Sequence, residues 1–406
     1  MKRRRFFETL TAALLAVLIG AVLVAPAMAQ GNSGKNKDKD DGGTVEPAPL
    51  PPIEYQIQLF EFPADGSHSI FGANNLGQVV GFNFNSATNG FRAWLFDATL
   101  NPEQAVDLNS LPIDGVPDGY VIGAALDIND SGMVVGFLQL FGDESGESRR
   151  SYVLDTDTWS MKTFPEDHEP AQSFALKINE DGLVLGGYDW FNEDGRRISE
   201  GTYLYDLVED AFTFPNLPGI DNRNMDLNNA TDTRPAQIAG QEWGSVSLPR
   251  NMLRLTLPDS LEIVDLHEDS TRSFFRGLND AGTMCGSISF DVSTHRRKTE
   301  IVTYPFRYGE SLELLPPAPS GGDAAYDINS AGDIINAYYV YHNTWGHVSP
   351  DDVVTGDVET GERWFAGRFE IELLGDRNDS DFGLLVGTLY ESNGRAGFVL
   401  VSVPVE

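Results

Sequence analysis

The chain has 406 residues, 28 of them basic and 61 acidic, for a net charge of −33 near neutrality. So acidic a surface repels nucleic acid and anionic membranes, which both recruit proteins through Lys and Arg. Cys285 is the single cysteine, so an internal disulfide is excluded and packing alone must hold the fold together.

The chain opens MKRRRFFETL, and an uncharged apolar run follows from Thr9 to Ala29, ending APAMA. Ala27-Met28-Ala29 is a small-x-small cleavage site and Pro26 interrupts the helix before it, so residues 1–29 are expected to be a secretory signal peptide. The run is also long enough for an uncleaved anchor. Arg3, Arg4, Phe6 and Phe7 resemble a twin-arginine signal as well. Removing this segment takes away four basic residues and Glu8, leaving 24 basic and 60 acidic residues and a net charge of −36. The expected product is an exported, soluble monomer, periplasmic, secreted or on the cell surface, with no membrane insertion after cleavage. Residues 30–54 are rich in Gly, Lys, Asp and Pro. They cannot bury enough apolar surface to offset their ordering entropy, and are expected to be a flexible tether.

From residue 55 onward the chain repeats. The element Asn-x-x-Gly recurs, with its Asn at 74, 129, 179, 228, 279, 329 and 378, at intervals of 49 to 55 residues. Four copies carry a second Gly four residues after the first: Gly81, Gly136, Gly186 and Gly286. Asn336 takes that place in one copy, and the copies at Asn228 and Asn378 have longer turns. An Asn that bonds its own backbone starts such a turn, and Gly three residues on suits the left-handed position of a type I turn closed by a bulge. The second Gly either ends the apolar strand that follows or leaves room where sheets converge. An aromatic-rich segment comes next, as in Arg92-Ala93-Trp94-Leu95-Phe96, and then an alternating one, as in Leu261-Glu262-Ile263-Val264. For the sixth unit these are read as Arg363-Trp364-Phe365 and Phe369–Leu373.

Four short strands in ~50 residues match a propeller blade. The chain starts with a fourth-type strand, Tyr55–Phe60, and ends with a third-type strand, Gly397–Val403. Each is what the other lacks. The expected fold is therefore all-β, a seven-bladed β-propeller of four-stranded blades over residues 55–406. Its N-terminal strand should complete the C-terminal blade and close the ring.

Asp127-Ile128-Asn129-Asp130-Ser131-Gly132-Met133-Val134-Val135-Gly136 resembles the HAF repeat of extracellular bacterial proteins, in which an Ile-Asn-x-x-Gly-x-Val-Val-Gly core precedes a His-Ala-Phe segment. The likeness extends over nearly all of 55–406. It departs in the turns of the fourth and seventh units and in the His-Ala-Phe itself, for which Arg92-Ala93-Trp94 is the nearest match. The resemblance implies export and a repeat fold, and no assigned chemistry.

Candidate chemistry is sparse. Asp127, Asn129 and Ser131 begin like a calcium loop, but its twelfth place is Leu138 rather than Glu, and sister copies put Lys177 or Gly277 in the first place. The turn reading explains every copy and the calcium reading one, so no cofactor is expected, with Ca2+ the alternative. His68, His168 and His267, each near carboxylates, fall in connections between units, where they would hold a metal, act as acid and base, or simply face solvent. Tyr338–His347 reads as a long, extended second strand in the sixth unit. Its Tyr339, Tyr341, His342, Trp345 and His347 would stack on a sugar or peptide, or pack against the next blade. The function expected is an extracellular binding module for a glycan or protein. The alternatives are a polysaccharide hydrolase or lyase using inter-blade acids, and a purely structural surface protein.

Overall fold

A computed structural model describes residues 54–403, apart from 64–66, 86–89, 142–147, 165–170, 192–196, 218, 243–250, 267–268, 294–298, 318–323, 337–338, 343–345, 349–367, 375–384 and 392–393. The chain divides into Met1–Pro47 and Ala48–Glu406, and every described residue lies in the second unit. The expected signal peptide, and the tether up to Ile53, lie outside the described residues. No helix among the described residues is long and apolar enough to cross a membrane.

Seven four-stranded antiparallel sheets follow one another, each a meander. We call the strands a to d within each blade. Blade one comprises Ser67–Ala73, Val79–Asn85, Gly90–Phe96 and Val106–Asp107, and blade two Tyr120–Ile128, Met133–Leu140, Arg150–Asp155 and Ser160–Phe164. Blade three comprises Ala171–Ile178, Leu183–Phe191, Arg197–Asp206 and Ala211–Thr213, and blade four Ile220–Leu227, Gln237–Glu242, Met252–Thr256 and Ser260–Val264. Blade five comprises Ser270–Leu278, Met284–Ser293, Thr299–Tyr308 and Leu312–Leu314, and blade six Asp327–Ile328, Ile334–Ile335, Val340–His342 and Gly346–Val348. Blade seven takes Arg368–Leu374, Leu385–Glu391 and Gly394–Val403 from the C-terminus and Glu54–Glu61 from the N-terminus as its outer strand d. The two terminal strands pair antiparallel from Glu54↔Val403 to Glu61↔Ala396. Each strand a packs against strand a of the next blade, and strand a of blade seven against that of blade one, so the ring is closed. The fold is a seven-bladed β-propeller.

Two corrections concern the sixth unit. Tyr338–His347 is not one extended strand: its described residues supply strands c and d, joined to strand b by a tight connection in which Tyr339 N donates to Asn336 Oδ1 at 2.8 Å. Phe369–Leu373, read as the outer strand of blade six, is part of strand a of blade seven, next to Leu385–Glu391. Arg363-Trp364-Phe365 lies outside the described residues.

The turn behaves as the residue types require. Gly132 N donates to Asn129 O at 3.0 Å, Asn129 N to Met133 O at 3.2 Å, and Gly132 has φ +74. The second Gly has a steric role. A Cβ on Gly186 would lie 2.1 Å from the ring of Tyr203, its cross-strand partner on strand c. On Gly81 it would meet Trp94 at 2.5 Å and Ser69 O at 2.1 Å, and on Gly286 it would meet Phe306 at 2.9 Å and Phe274 O at 2.0 Å. Each of these glycines therefore seats an aromatic side chain of its own blade. Those rings, with Val80, Val134, Leu185 and their neighbours, fill the interfaces between blades. Cys285 is fully buried there, and burial pushes its thiol pKa well up.

Candidate functional site at the axial end of the ring

The repeated Asn is spent on architecture. Asn74, Asn129, Asn179, Asn228 and Asn279 each donate Nδ2–H to the carbonyl oxygen of the corresponding Asn one blade on, at 3.0, 3.1, 3.1, 2.9 and 2.9 Å. Their Oδ1 atoms accept from the main chain of their own turns, for example from Leu183 N at 2.8 Å and, across the blade-four insertion, from Gln237 N at 2.6 Å. One amide thus closes a turn and ties two blades together. The residue after each Asn adds a second tier: Asn75 N donates to Asp130 Oδ1 at 2.7 Å, Glu180 N to Asn229 Oδ1 at 2.7 Å, and Asn229 N to Asp280 Oδ1 at 2.8 Å.

Two residues before the Asn, the repeats diverge. That position holds Gly72, Asp127, Lys177, Asp226, Gly277 and Asp327 in blades one to six. Because strand a is innermost in every blade, these positions gather around the axis. Lys177 Nζ lies 3.6 Å from Asp226 Oδ1, and both side chains keep some solvent contact. Asp127 Oδ2 accepts from Ile178 N of blade three at 2.9 Å, and Asp226 Oδ2 accepts from Leu278 N of blade five at 2.8 Å. Asp226 Oδ1 also accepts from Leu227 N, and Asp327 Oδ1 from Ile328 N. The glycines make room: a Cβ on Gly72 would be 2.6 Å from Asp127 Cα, and one on Gly277 would be 3.1 Å from Asp327 Oδ1. Burial raises the Asp127 pKa to about 6, although Lys177 and the Ile178 N–H oppose the shift. Burial pulls the Lys177 pKa down, but Asp127, Asp226 and Asp327 together outweigh it and hold the ammonium above its ordinary value.

Just before this tier, strand a bulges in blades one, two, three and five, leaving Phe71, Leu126, Leu176 and Arg276 as the extra residues. Arg276 reaches toward blade six, with its guanidinium carbon 5.7 Å from the centre of the Tyr326 ring.

The remaining expected residues fall into three groups. Asp127 and Asn129 have the partners just described and Ser131 is exposed. No group of three or more His, Cys, Asp or Glu able to hold a metal occurs among the described residues. His68 stacks on Phe62 at 4.4 Å, while His168, His267 and Trp345 lie outside the described residues. The blade-six residues turn toward their neighbours. His347 sits edge-on to Tyr341 at 5.1 Å and to Tyr339 at 6.1 Å, and burial lowers its pKa. Tyr341 packs on the core shared with Cys285 of blade five. Arg307 of blade five lies 6.0 Å over the Tyr341 ring, while its Nη2 donates to Glu313 at 2.7 Å and its Nη1 to Gly332 O at 3.0 Å. His342 is buried, with Nε2 3.9 Å from Asp333 Oδ1. A polar cleft of about 360 Å³ lies beside this group, lined by Thr283, Arg307, Glu313 and Ser330 among others.

The model of a family described as a protein of unknown function (DUF3466) matches residues 67–232, from the first residue of blade one to just past strand a of blade four. No curated protein matches the sequence. Among solved structures, the acylaminoacyl peptidase of Pyrococcus horikoshii is 9% identical, with 83% of this chain and 52% of that chain covered and a TM-score of 0.43. This chain thus spans about half the length of that peptidase. The polysaccharide lyase Uly1 is 10% identical over 84% of this chain and 91% of that chain, with a TM-score of 0.43. The α-L-arabinanase of Penicillium chrysogenum is 10% identical over 67% and 90%, with a TM-score of 0.35. At these values no chemistry carries over.

Proposed function

We propose that the chain is an exported binding module whose ligand is held at the axis of the propeller. One observation carries this reading: Asp127, Lys177, Asp226 and Asp327, about fifty residues apart or more, converge at one level of the ring while the repeat around them stays constant. A structural protein needs the Asn tier and the packed rings; it has no use for three carboxylates and an ammonium gathered at the innermost positions. The signal-like N-terminus and the HAF-repeat resemblance support export, and the net charge of the processed chain speaks against nucleic acid as the ligand.

Binding is favoured over catalysis because the axial carboxylates are already engaged: Asp226 and Asp327 accept main-chain N–H groups and Asp226 faces Lys177. One observation favours the hydrolase or lyase reading, the Asp127 carboxyl titrating near 6, where a general acid would operate. A thermal-shift screen of the processed chain against calcium, EDTA and a glycan panel tests the choice, since a ligand of the native state alone must raise Tm. The binding reading expects a shift that Lys177→Met diminishes. Absence of any shift, together with polysaccharide cleavage that Asp127→Asn abolishes, would establish the enzyme instead.

A further inference from the structure

We infer that Arg276 is the anchor for a carboxylate group on a small ligand, held in the axial end of the ring against Tyr326. This rests on the axial-binding reading and names the ligand chemistry within it.

Arg276 is enclosed on nearly all sides yet keeps some solvent-accessible surface. Its Nε is buried without a hydrogen-bond partner. Among the described residues it forms no ion pair, and enclosure lowers its pKa. That is anomalous in a chain with 61 acidic residues. Three other strand arginines are matched. Arg254 Nη2 donates to Glu262 Oε2 at 2.6 Å, Arg307 Nη2 donates to Glu313 Oε2 at 2.7 Å, and Arg92 Nη1 donates to Asp107 Oδ2 at 3.2 Å. Acids do stand near Arg276. Asp226 and Asp327 flank Gly277 and Leu278; Asp226 accepts from the N–H groups of Leu227 and Leu278 and faces Lys177, and Asp327 accepts from the N–H of Ile328. A buried cation left without a counter-charge is costly, and removing that cost is what an anionic ligand would do.

Geometry narrows the anion. A guanidinium presents planar, paired N–H donors that match the two oxygens of a carboxylate. The tier that follows Arg276 on strand a carries Asp127, Asp226 and Asp327 around Lys177, a net negative field that repels a multiply charged phosphate more than a monoanion. The Tyr326 ring, 5.7 Å from the guanidinium carbon, fixes the plane in which Arg276 presents its donors.

Isothermal titration of the whole chain with glucuronate, glucose, benzoate and inorganic phosphate tests this. Glucuronate and glucose differ by a carboxylate for a hydroxymethyl, and benzoate separates a sugar acid from a free organic acid. The expected result is that glucuronate or benzoate binds and glucose does not. Arg276→Lys, which keeps the charge and loses the fork, should weaken binding about tenfold, and Arg276→Gln should abolish it. Unliganded Arg276→Gln should melt at or above the parent temperature, because a lone buried charge has been removed. The inference is overturned if Arg276→Gln binds carboxylates as the parent does, if phosphate binds as tightly, or if Arg276→Gln melts several degrees lower. If a neutral glycan shifts Tm while no carboxylate binds, the axial reading stands and this inference falls. If no ligand of any class binds, both fall.

Discussion

A single asparagine amide per repeat accounts for much of the rigidity at the ring's inner edge. Asn179 gives Nδ2–H to Asn228 O at 3.1 Å in a buried setting and takes Leu183 N–H at 2.8 Å in a partly buried one. Each such bond contributes about 1 kcal/mol net, and groups left unpaired by its loss cost more. Asn179→Ala should therefore lower stability by roughly 2–4 kcal/mol, read as a fall in the urea midpoint at constant slope. An unchanged midpoint would show that the ladder is incidental. Asp127 makes a second residue-scale prediction. Its folded-state pKa of about 6 lies above the ordinary 3.8, so its contribution is fully present below pH 3.8 and is lost as pH rises through 6. The difference corresponds to on the order of 3 kcal/mol. Asp127→Asn should gain stability relative to the parent between pH 4 and pH 7, and a pH-independent difference between the two would contradict the assignment. The role of the Asn in its turn was legible from sequence; its bond to the next blade was not, because nothing local says what stands one repeat away. The axial charges were hidden for another reason. Lys177 and Gly277 looked like failures of a calcium pattern at Asp127, and a search for repeats rewards sameness, whereas this site lies where the copies differ.

Within a blade, the pairing of a glycine on strand b with a ring on strand c sets how closely the sheet stacks on its neighbour. Gly186 beneath Tyr203 is the tightest case, and Tyr203 OH donates to Ser151 Oγ of blade two at 2.6 Å. Gly186→Ala should cost roughly 1–3 kcal/mol by overpacking. Combined with Tyr203→Leu it should cost clearly less than the sum of the two single changes, since both act on one contact. Additive effects in thermal or chemical denaturation would separate the two residues. Both partners were visible in the sequence as a second Gly and an aromatic strand, but not as a pair. The separation varies, from Gly81 to Trp94, Gly136 to Tyr152 and Gly286 to Phe306, with the length of the hairpin between them. Blade six misled for a related reason. Its described strands are only two or three residues long, and the apolar alternation of Tyr338–His347 runs on past the end of strand c at His342.

At the scale of the whole molecule, the chain is a ring joined by its own ends, and this was the most legible feature of all. Strand types counted along the sequence left one strand missing at the C-terminus and one to spare at the N-terminus, and pairing them needs no knowledge of side-chain detail. The closure sets how the propeller unfolds: Glu54–Glu61 is the only strand of blade seven that the C-terminal segment does not supply. Cross-linking tests it directly. Adjacent antiparallel pairs alternate between wide and narrow spacing, so of Gln56↔Val401 and Ile57↔Leu400 at least one suits a disulfide. The native thiol, Cys285, is fully buried and should not compete. The account predicts that a cysteine pair at 56 and 401, or at 57 and 400, oxidises to near completion in the native protein and raises Tm, while the offset pair at 56 and 399 does not. Failure of both in-register pairs, or equal cross-linking of the offset pair, would mean that the ring is not closed by these strands.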